Sequence, residues 1–370
     1  MRVRTIKAVS LRNIDSLELN PGPGINVFQG KNAQGKTSIL EGLYLLSTSK
    51  SHRNCSDSEI MKWGKRSCFV GAEVVTSERK FTVGITINVS KKSARVNGSP
   101  LARLSELIGK LSLVMSSPED LYLIKGAPSL RRRYMDMILS SSDPPYLGAL
   151  MQYNKGAKQK SALLRKNRNL ARIDLDVWNE QLASSGAFIA LRRAGFIDSL
   201  RKIAVKHHGI LSGNAEELNI RYSSQIGDVN DHGLENIKSE LSSLFARSID
   251  KEIEKGRCLV GIQRDDLYIS ISGNDLRSYG SQGQQKTAAL AMRMAERHVI
   301  HEKTGEMPVV LIDDLTSELD AQRVEQFISI IGAEGQTFIT TTDASYIKGL
   351  FPDSVVFDVV NGKVKRHGSH

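Results

Sequence analysis

The chain has 370 residues, 40% hydrophobic and 25% charged, an ordinary globular composition that excludes a disordered, collagen-like or fibrous protein; its length suits two or three structural units, or one large domain carrying an insertion. The formal net charge of +11 favours a polyanionic partner. Three cysteines, Cys55, Cys68 and Cys258, without CxxC spacing argue against a disulfide framework or structural zinc site, make a reducing cytosol the expectation, and stand in a chain with no apolar run long enough to span a membrane.

The first residues, Met1 to Lys7, carry charges without an apolar signal core behind them. Ile25-Asn26-Val27-Phe28 reads as a short buried strand, followed by a Gly-rich loop and a helix from Ser38 to Ser49 with Ile39, Leu40, Leu43, Tyr44 and Leu46 at helical spacing. Between Cys68 and Val96 the period changes to two, which predicts antiparallel strands before the turn signal Asn97-Gly98. Tyr146 to His208 is helical in pattern, broken near Ile173-Asp174, and holds twelve Lys and Arg against four acids. Leu234 to Lys255 reads as a further helix. Val309-Val310-Leu311-Ile312 and Thr337-Phe338-Ile339-Thr340 are continuous apolar runs of the kind found in a parallel sheet buried on both faces, and Asn361-Gly362 predicts a C-terminal hairpin. The pattern is that of an α/β core split in sequence around a helical arm: residues 1–145 and 256–370 form the core and 146–255 the insertion.

Gly30-Lys31-Asn32-Ala33-Gln34-Gly35-Lys36-Thr37 satisfies GxxxxGK[ST] between a predicted strand and a predicted helix. Inward-turned backbone N–H groups at such a loop cradle a polyphosphate, glycines permit the turn, and the helix beyond Lys36, through Ser38, aims its positive end at the same anion. In this reading Lys36 reaches the terminal phosphates and the Thr37 hydroxyl takes a place on Mg²⁺. Asp313 and Asp314 end the strand Val309 to Ile312, where ligands of open α/β sheets sit. Asp313 would hold Mg²⁺, directly or through water, and Asp314 would orient or deprotonate the attacking water. Ser281-Gln282-Gly283-Gln284-Gln285-Lys286 precedes a helix rich in good formers; Ser281 reads first as an N-cap, and such a turn is also a phosphate-binding end. Ser317-Glu318-Leu319-Asp320 is either a helix cap or part of the site.

The ordered set of phosphate loop, Ser281 to Lys286, Leu311 to Asp314 and Ser317 to Asp320 resembles the ATPase head of the ABC superfamily, nearest its SMC-like DNA-repair branch. Ser117-Pro118-Glu119-Asp120-Leu121, Arg131-Arg132-Arg133, Ser49-Lys50-Ser51-His52-Arg53 and Arg264-Asp265-Asp266-Leu267 extend the resemblance to the RecF family over nearly the whole chain. The resemblance implies a P-loop NTPase with an ABC-type head, comprising a mixed sheet and an antiparallel β subdomain, and with an inserted helical arm. It makes Gly30 to Thr37 the Walker A loop and Asp313 the Walker B acid, with Lys36, Asp314 and Ser281 catalytic. Ser281, Gln282, Gly283 and Gln284 would act as a signature completing the site of the opposite subunit, and Ser317 and Asp320 as the D-loop at the seam. It further implies ATP and Mg²⁺, an ATP-dependent homodimer, DNA as partner at gaps and ds–ss junctions, RecR and RecO as co-workers in RecA loading, and a nucleoid-associated cytoplasmic location.

Two departures stand out. The segment at Ser117 to Asp120 carries no glutamine, and Thr341-Thr342-Asp343 stands where a switch histidine is expected, which suggests slow hydrolysis. The same departures, together with the basic arm, argue against the alternative of a transporter's nucleotide-binding subunit; no Asn-Lys-x-Asp motif supports a GTPase. The arm's Lys155, Lys158, Lys160, Arg165, Lys166 and Arg168 are the expected phosphate contacts of DNA, and His207-His208 reads as surface. Only 160 residues separate Asp120 from Ser281, too few for a long coiled coil.

Overall fold

The computed structural model describes residues 1–53, 55–166, 173–230, 232–314, 321–331 and 335–368. They divide into two compact units, one of Met1–Asp120 with Leu290–His370 and one of Leu121–Ala289.

The first unit opens with an antiparallel sheet. Strand β1 (Arg2–Leu11) pairs with β2 (Ile14–Leu19) and β4 (Ser67–Val75), and β5 (Lys80–Asn88), β6 (Lys92–Val96) and β7 (Ser99–Pro100) follow in order. In β1 the buried residues Val3, Ile6 and Ala8 face the core while charged neighbours face water. Within this run β3 (Ile25–Gln29) leaves for a second sheet and feeds helix α1 (Lys36–Thr48). Helix α1 is buried on almost every side, so apolar residues spread around it rather than along one stripe, and its buried Glu41 is held by Arg12. A short helix α2 (Asp57–Ile60) and strand β8 (Leu113–Ser116) complete this part.

The second unit begins with α3 (Leu121–Lys125) and α4 (Pro128–Ser142), the latter started by a proline that needs no hydrogen-bond partner there. Helices α5 (Pro144–Lys166) and α6 (Ile173–Ser212) form the arm, strand β9 (Leu218–Ser223) follows, and α7 (Leu234–Lys255) ends on the left-handed Gly256. Strands β10 (Asp266–Ile271) and β11 (Asn274–Asp275) join β9 in an antiparallel sheet. After α8 (Leu276–Tyr279), helix α9 (Gln282–Thr304) returns the chain to the first unit.

That return supplies β12 (Val309–Ile312), α10 (Ala321–Ile331), β13 (Thr337–Thr341), α11 (Ser345–Leu350), β14 (Val355–Val360) and β15 (Lys363–Arg366). The second sheet has the order β15-β14-β3-β13-β12-β8, parallel except for the terminal hairpin partner β15. Its central strands are buried almost throughout, and Phe28 stacks on Phe338 at 6.1 Å and tilts against Phe357 at 5.4 Å.

The observed boundaries differ from those expected at 145 and 255. The helical unit extends to Leu121 and Ala289 because α4 packs on the arm helices and β9 pairs with β10, binding flanking segments into one body. The break expected near Ile173 falls against residues 167–172, outside the described residues. Helix α6 has forty residues, which at about 1.5 Å per residue gives about 60 Å, and it ends at Ser212, four residues beyond the expected His208.

Candidate functional site: a phosphate cradle at three strand ends

The carboxyl ends of β3, β13 and β12 lie side by side, in that order. Each delivers a different group: the loop of residues 30–35, Thr340, and the pair Asp313-Asp314. Open α/β sheets bind their ligands at this kind of edge.

The loop's shape is set by backbone conformations that few residues tolerate. Gly30, Ala33 and Gly35 have φ of 156°, 64° and 107°. A Cβ on Gly30 would stand 2.3 Å from the Val359 carbonyl oxygen, and one on Gly35 would stand 2.7 Å from the Asn13 side-chain oxygen, so neither position admits a larger residue. The C-terminal hairpin braces the loop from outside, with the Gly362 N–H donating to the Gln34 carbonyl at 2.9 Å and the Asn361 N–H to its side chain at 2.7 Å.

Lys36 folds back over this loop and donates to the carbonyls of Gly30 at 2.5 Å and Lys31 at 3.0 Å. Burial lowers its pKa, against the upward pull of Asp314 and Asp313. Thr37 donates its hydroxyl to Asp313 Oδ1 at 2.8 Å, and Thr340 donates to the same oxygen at 2.7 Å. The Asp314 N–H in turn donates to Thr340 Oγ1 at 2.9 Å, while Asp314 itself takes a left-handed φ of 56°. A non-glycine residue held there is a local cost that the surrounding hydrogen bonds sustain.

These groups face a cavity of about 490 Å³, walled also by Arg12, Asn13, Arg53, Pro118 and Glu119. Arg12 is locked by a double hydrogen bond to the buried Glu41, 2.8 Å in each arm. Ser51 donates to the same carboxylate at 2.5 Å. Burial pushes the Glu41 pKa up, but Arg12 and Ser51 outweigh it and hold it below the ordinary value. Beside this cluster burial lowers the His52 pKa, so the imidazole is held toward its neutral form.

The residues fit a magnesium–polyphosphate group. A lysine poised at the loop mouth, a loop turned by left-handed Ala33 and Gly35, and a hydroxyl 2.8 Å from a carboxylate form the donor set such a group takes. Thr37 and Asp313 would hold the metal, and Lys36 with the backbone of residues 33–38 would hold the phosphates. Among the described residues no cluster of three or more His, Cys, Asp or Glu is placed to hold a metal.

Over residues 2–364 the chain matches the RecF/RecN/SMC N terminal domain family. It is 38% identical over 370 residues to the DNA replication and repair protein RecF of Clostridium novyi, covering 99% of this chain and 100% of that one. The chain belongs to the RecF family. The RecF of Halothermothrix orenii matches at 37% identity across 100% of both chains. Among solved structures, that of the recombination mediator protein RecF–ATP in the RecFOR pathway superposes with a TM-score of 0.91 at 32% identity, covering 99% of each chain. An SMC head bound to the C-winged helix domain of ScpA, at 14% identity and a TM-score of 0.57, shares the fold. The expected fold class, an α/β ABC-type head with an antiparallel subdomain and a helical insertion, is the one this RecF-family chain adopts.

Other residues singled out in the sequence are distributed unevenly. Ser281 is exposed and caps α9: its Oγ accepts from the Gln284 N–H at 3.2 Å while the Gln284 side chain accepts from the Ser281 N–H at 2.8 Å. Gln284 also donates to Glu216 at 2.9 Å. Ser317 and Asp320 lie outside the described residues, as does Arg168.

Lys155, Lys158, Arg165 and Lys166 are exposed on α5. Lys160 is not available to DNA: it is 0% exposed, 2.6 Å from the equally buried Glu252 and 4.6 Å from the ring centre of Phe245. Its position on the inner face of α5 overrides the charge pattern that grouped it with its neighbours. His208 is likewise fully buried, not at the surface, with Nε2 3.7 Å from Glu216.

Several blocks that carry the family resemblance do structural work in the second unit. Arg131 is buried and donates twice to Asp266, at 2.7 and 2.9 Å, and Arg132 donates to the Asp265 carbonyl at 2.8 Å. Gln263 accepts from the Tyr153 hydroxyl at 2.5 Å. Thr340, Arg12 and Asn13 were missed in the sequence. Arg12 and Asn13 occupy the turn between β1 and β2, and only the fold brings that turn to the phosphate loop.

Proposed function

We propose that this chain is an ATP-dependent DNA-binding protein of recombinational repair, acting at single-strand gaps. The observation that carries the reading is the meeting of Thr37, Asp313 and Thr340 beside the cradle and Lys36. The relatives named above are repair proteins, and the solved neighbour is a recombination mediator with ATP; the transporter alternative is therefore set aside.

In this reading the backbone of residues 33–38 and Lys36 bind the triphosphate. Thr37 and Asp313 would hold Mg²⁺, which would supply charge neutralisation to the phosphates. Asp314 orients the attacking water, and without a switch histidine that step is slow. Ser281 and the start of α9 on one copy grip the terminal phosphoryl seated in a second copy, with Ser317 and Asp320 at the seam, so that two chains close head to tail over two nucleotides. Charge-assisted contacts of this type contribute roughly 1.5–3 kcal/mol each, enough for two sites to turn a weak pair into a stable one. Closure brings two arms together, and Lys155, Lys158, Arg165 and Lys166 take phosphates of DNA at a ds–ss junction. Hydrolysis removes the bridge and releases the clamp, so nucleotide acts as a timer. RecR and RecO would work beside it in RecA loading, replication restart and SOS induction, in a nucleoid-associated cytoplasmic location.

Sedimentation with and without ATP, repeated on gapped DNA, tests this. The wild type should pair only with ATP, and Ser281→Arg should bind ATP as a monomer. A Ser281→Arg chain that pairs normally on ATP addition overturns the shared site.

A further inference from the structure

The first unit displays an aromatic group that its fold does not use. Trp63 is 99% exposed, the most exposed large apolar side chain among the described residues. It sits in the turn Lys62-Trp63-Gly64-Lys65, closed by the Lys65 N–H on the Lys62 carbonyl at 2.9 Å. Gly64 has φ of 76°, a value the next residue after Trp63 can hold without strain only as glycine.

The turn is anchored, not loose. The Lys62 N–H donates to the Ser10 carbonyl at 2.8 Å, Leu11 bridges Met61, and the Arg12 N–H donates to the Ile60 carbonyl at 2.9 Å. On its other side the Val89 N–H donates to the Arg66 carbonyl at 3.3 Å, which brings the tip of the β5–β6 hairpin alongside. Val89 is 74% exposed and Lys91 in the same tip is exposed.

Cations outnumber acids around this indole. Lys62 pairs with Asp15 at 2.6 Å. Arg66, Lys91 and Lys65, which shares the field of Asp15 with Lys62, are exposed. An aromatic face carried on an anchored turn and flanked by exposed cations matches what a single nucleic-acid strand offers, bases with π-faces strung on phosphates. Duplex DNA hides its base faces, so the indole adds nothing there.

We propose that Trp63, with Lys65, Arg66 and Lys91, is a stacking contact for single-stranded DNA in the first unit, separate from the phosphate-contacting arm. The inference rests on the proposed DNA-binding function and adds to it the part that recognises the unpaired strand.

The chain has two tryptophans, Trp63 and Trp178, so Trp178→Phe leaves Trp63 as the sole indole reporter. Titration of that protein with an oligothymidylate of about 20 nucleotides should quench its emission saturably. Trp63→Ala should weaken single-strand binding about tenfold, Trp63→Phe should retain most of it, and duplex binding should be unchanged. The triple variant Lys65→Glu, Arg66→Glu, Lys91→Glu should lower the salt slope of single-strand binding by about two. Should Trp178→Phe not fold, the emission difference between wild type and Trp63→Phe gives the same reading. Emission unmoved by oligothymidylate, or a Trp63→Ala affinity within about twofold of wild type, overturns the proposal; quenching by a polyglutamate peptide alone assigns the surface to an acidic protein and also overturns it. If Lys155→Glu with Lys158→Glu abolishes duplex binding while Trp63→Ala changes nothing, the stacking site falls and the DNA function stands. If the wild type with ATP binds neither form of DNA, both fall.

Discussion

Lys36 and Lys160 are both withdrawn from bulk water, and they end in opposite circumstances. Lys36 leans on two carbonyls at the mouth of a cavity, with Asp313 and Asp314 close enough to pull on its charge. Lys160 is enclosed by Glu252 and the Phe245 ring. The same contrast separates their surroundings. Around Thr37, Asp313 and Thr340, donors and acceptors converge beside empty space. Around Arg193, they are spent on one another: its guanidinium donates to Asp136 at 2.7 Å and to the Ile262 carbonyl at 3.0 Å, and Asp265 accepts from Ser224 at 3.0 Å and from Tyr222. Burial raises the Asp265 pKa to about 6 even so. A perturbed or buried charge therefore marks a binding site only when it faces a space that a ligand can enter.

Four measurements sharpen or break this contrast. Lys36→Ala removes a charged partner from the cradle, and ATP affinity should fall about 100-fold or more in a calorimetric titration, with thermal stability little changed. Lys160→Ala should do the reverse. It strands Glu252 in the interior and should cost about 3–5 kcal/mol in urea unfolding, whereas the exposed Lys158→Ala should stay within about 0.5 kcal/mol of wild type and only reduce the salt dependence of DNA binding. Equal stability loss in both lysine variants would break the assignment of inner and outer faces on α5.

Glu296 gives a test in pH. Burial raises its pKa from 4.5 to about 7, with Arg293 pulling it back. The folded chain thus keeps this proton where the unfolded chain has released it. Its stabilising contribution is full below the unfolded value of 4.5 and is lost as pH rises through about 7, amounting to about 3 kcal/mol at most. Glu296→Gln should flatten the rise in melting temperature on going from pH 7.5 to 5.5, about two pH units; an unchanged slope would place the titration elsewhere. The smallest effect belongs to Thr340→Val, which removes a donor from Asp313 and an acceptor from the Asp314 N–H. About 1–1.5 kcal/mol of lost hydrogen bonding should weaken Mg²⁺-dependent ATP binding about tenfold or less while leaving metal-free nucleotide binding unchanged.

The elements near the phosphate loop were legible because local rules and tertiary demands agree there. The strand at Ile25, the helix after Lys36, the alternating strands from Cys68 and the parallel strands at Val309 and Thr337 all carry patterns that burial on one or two faces requires. Strands β1 and β2 were passed over; in β1 a register shift between Val3 and Thr5 breaks the strict period of two, so Val3 and Ile6 face inward although three positions apart. In the arm, counting charges treated Lys160 as equivalent to Lys158, although the two point to different faces of one helix. Arg131 to Arg133 read as a basic run, yet Arg131 is a buried strut on Asp266.

By itself the sequence determined the Gly-rich loop of residues 30–37, the acid pair that ends β12 and the split α/β core, because each depends on residues close together in the chain or on a short period of apolar side chains. The tertiary structure decided the rest: that Thr340 stands between Asp313 and the loop, that Arg12 and Asn13 wall the cavity, and which cations face water. Those facts depend on the order of strands in a sheet and on which side of a helix meets a neighbour, and both are set by packing between segments that lie well apart in the chain.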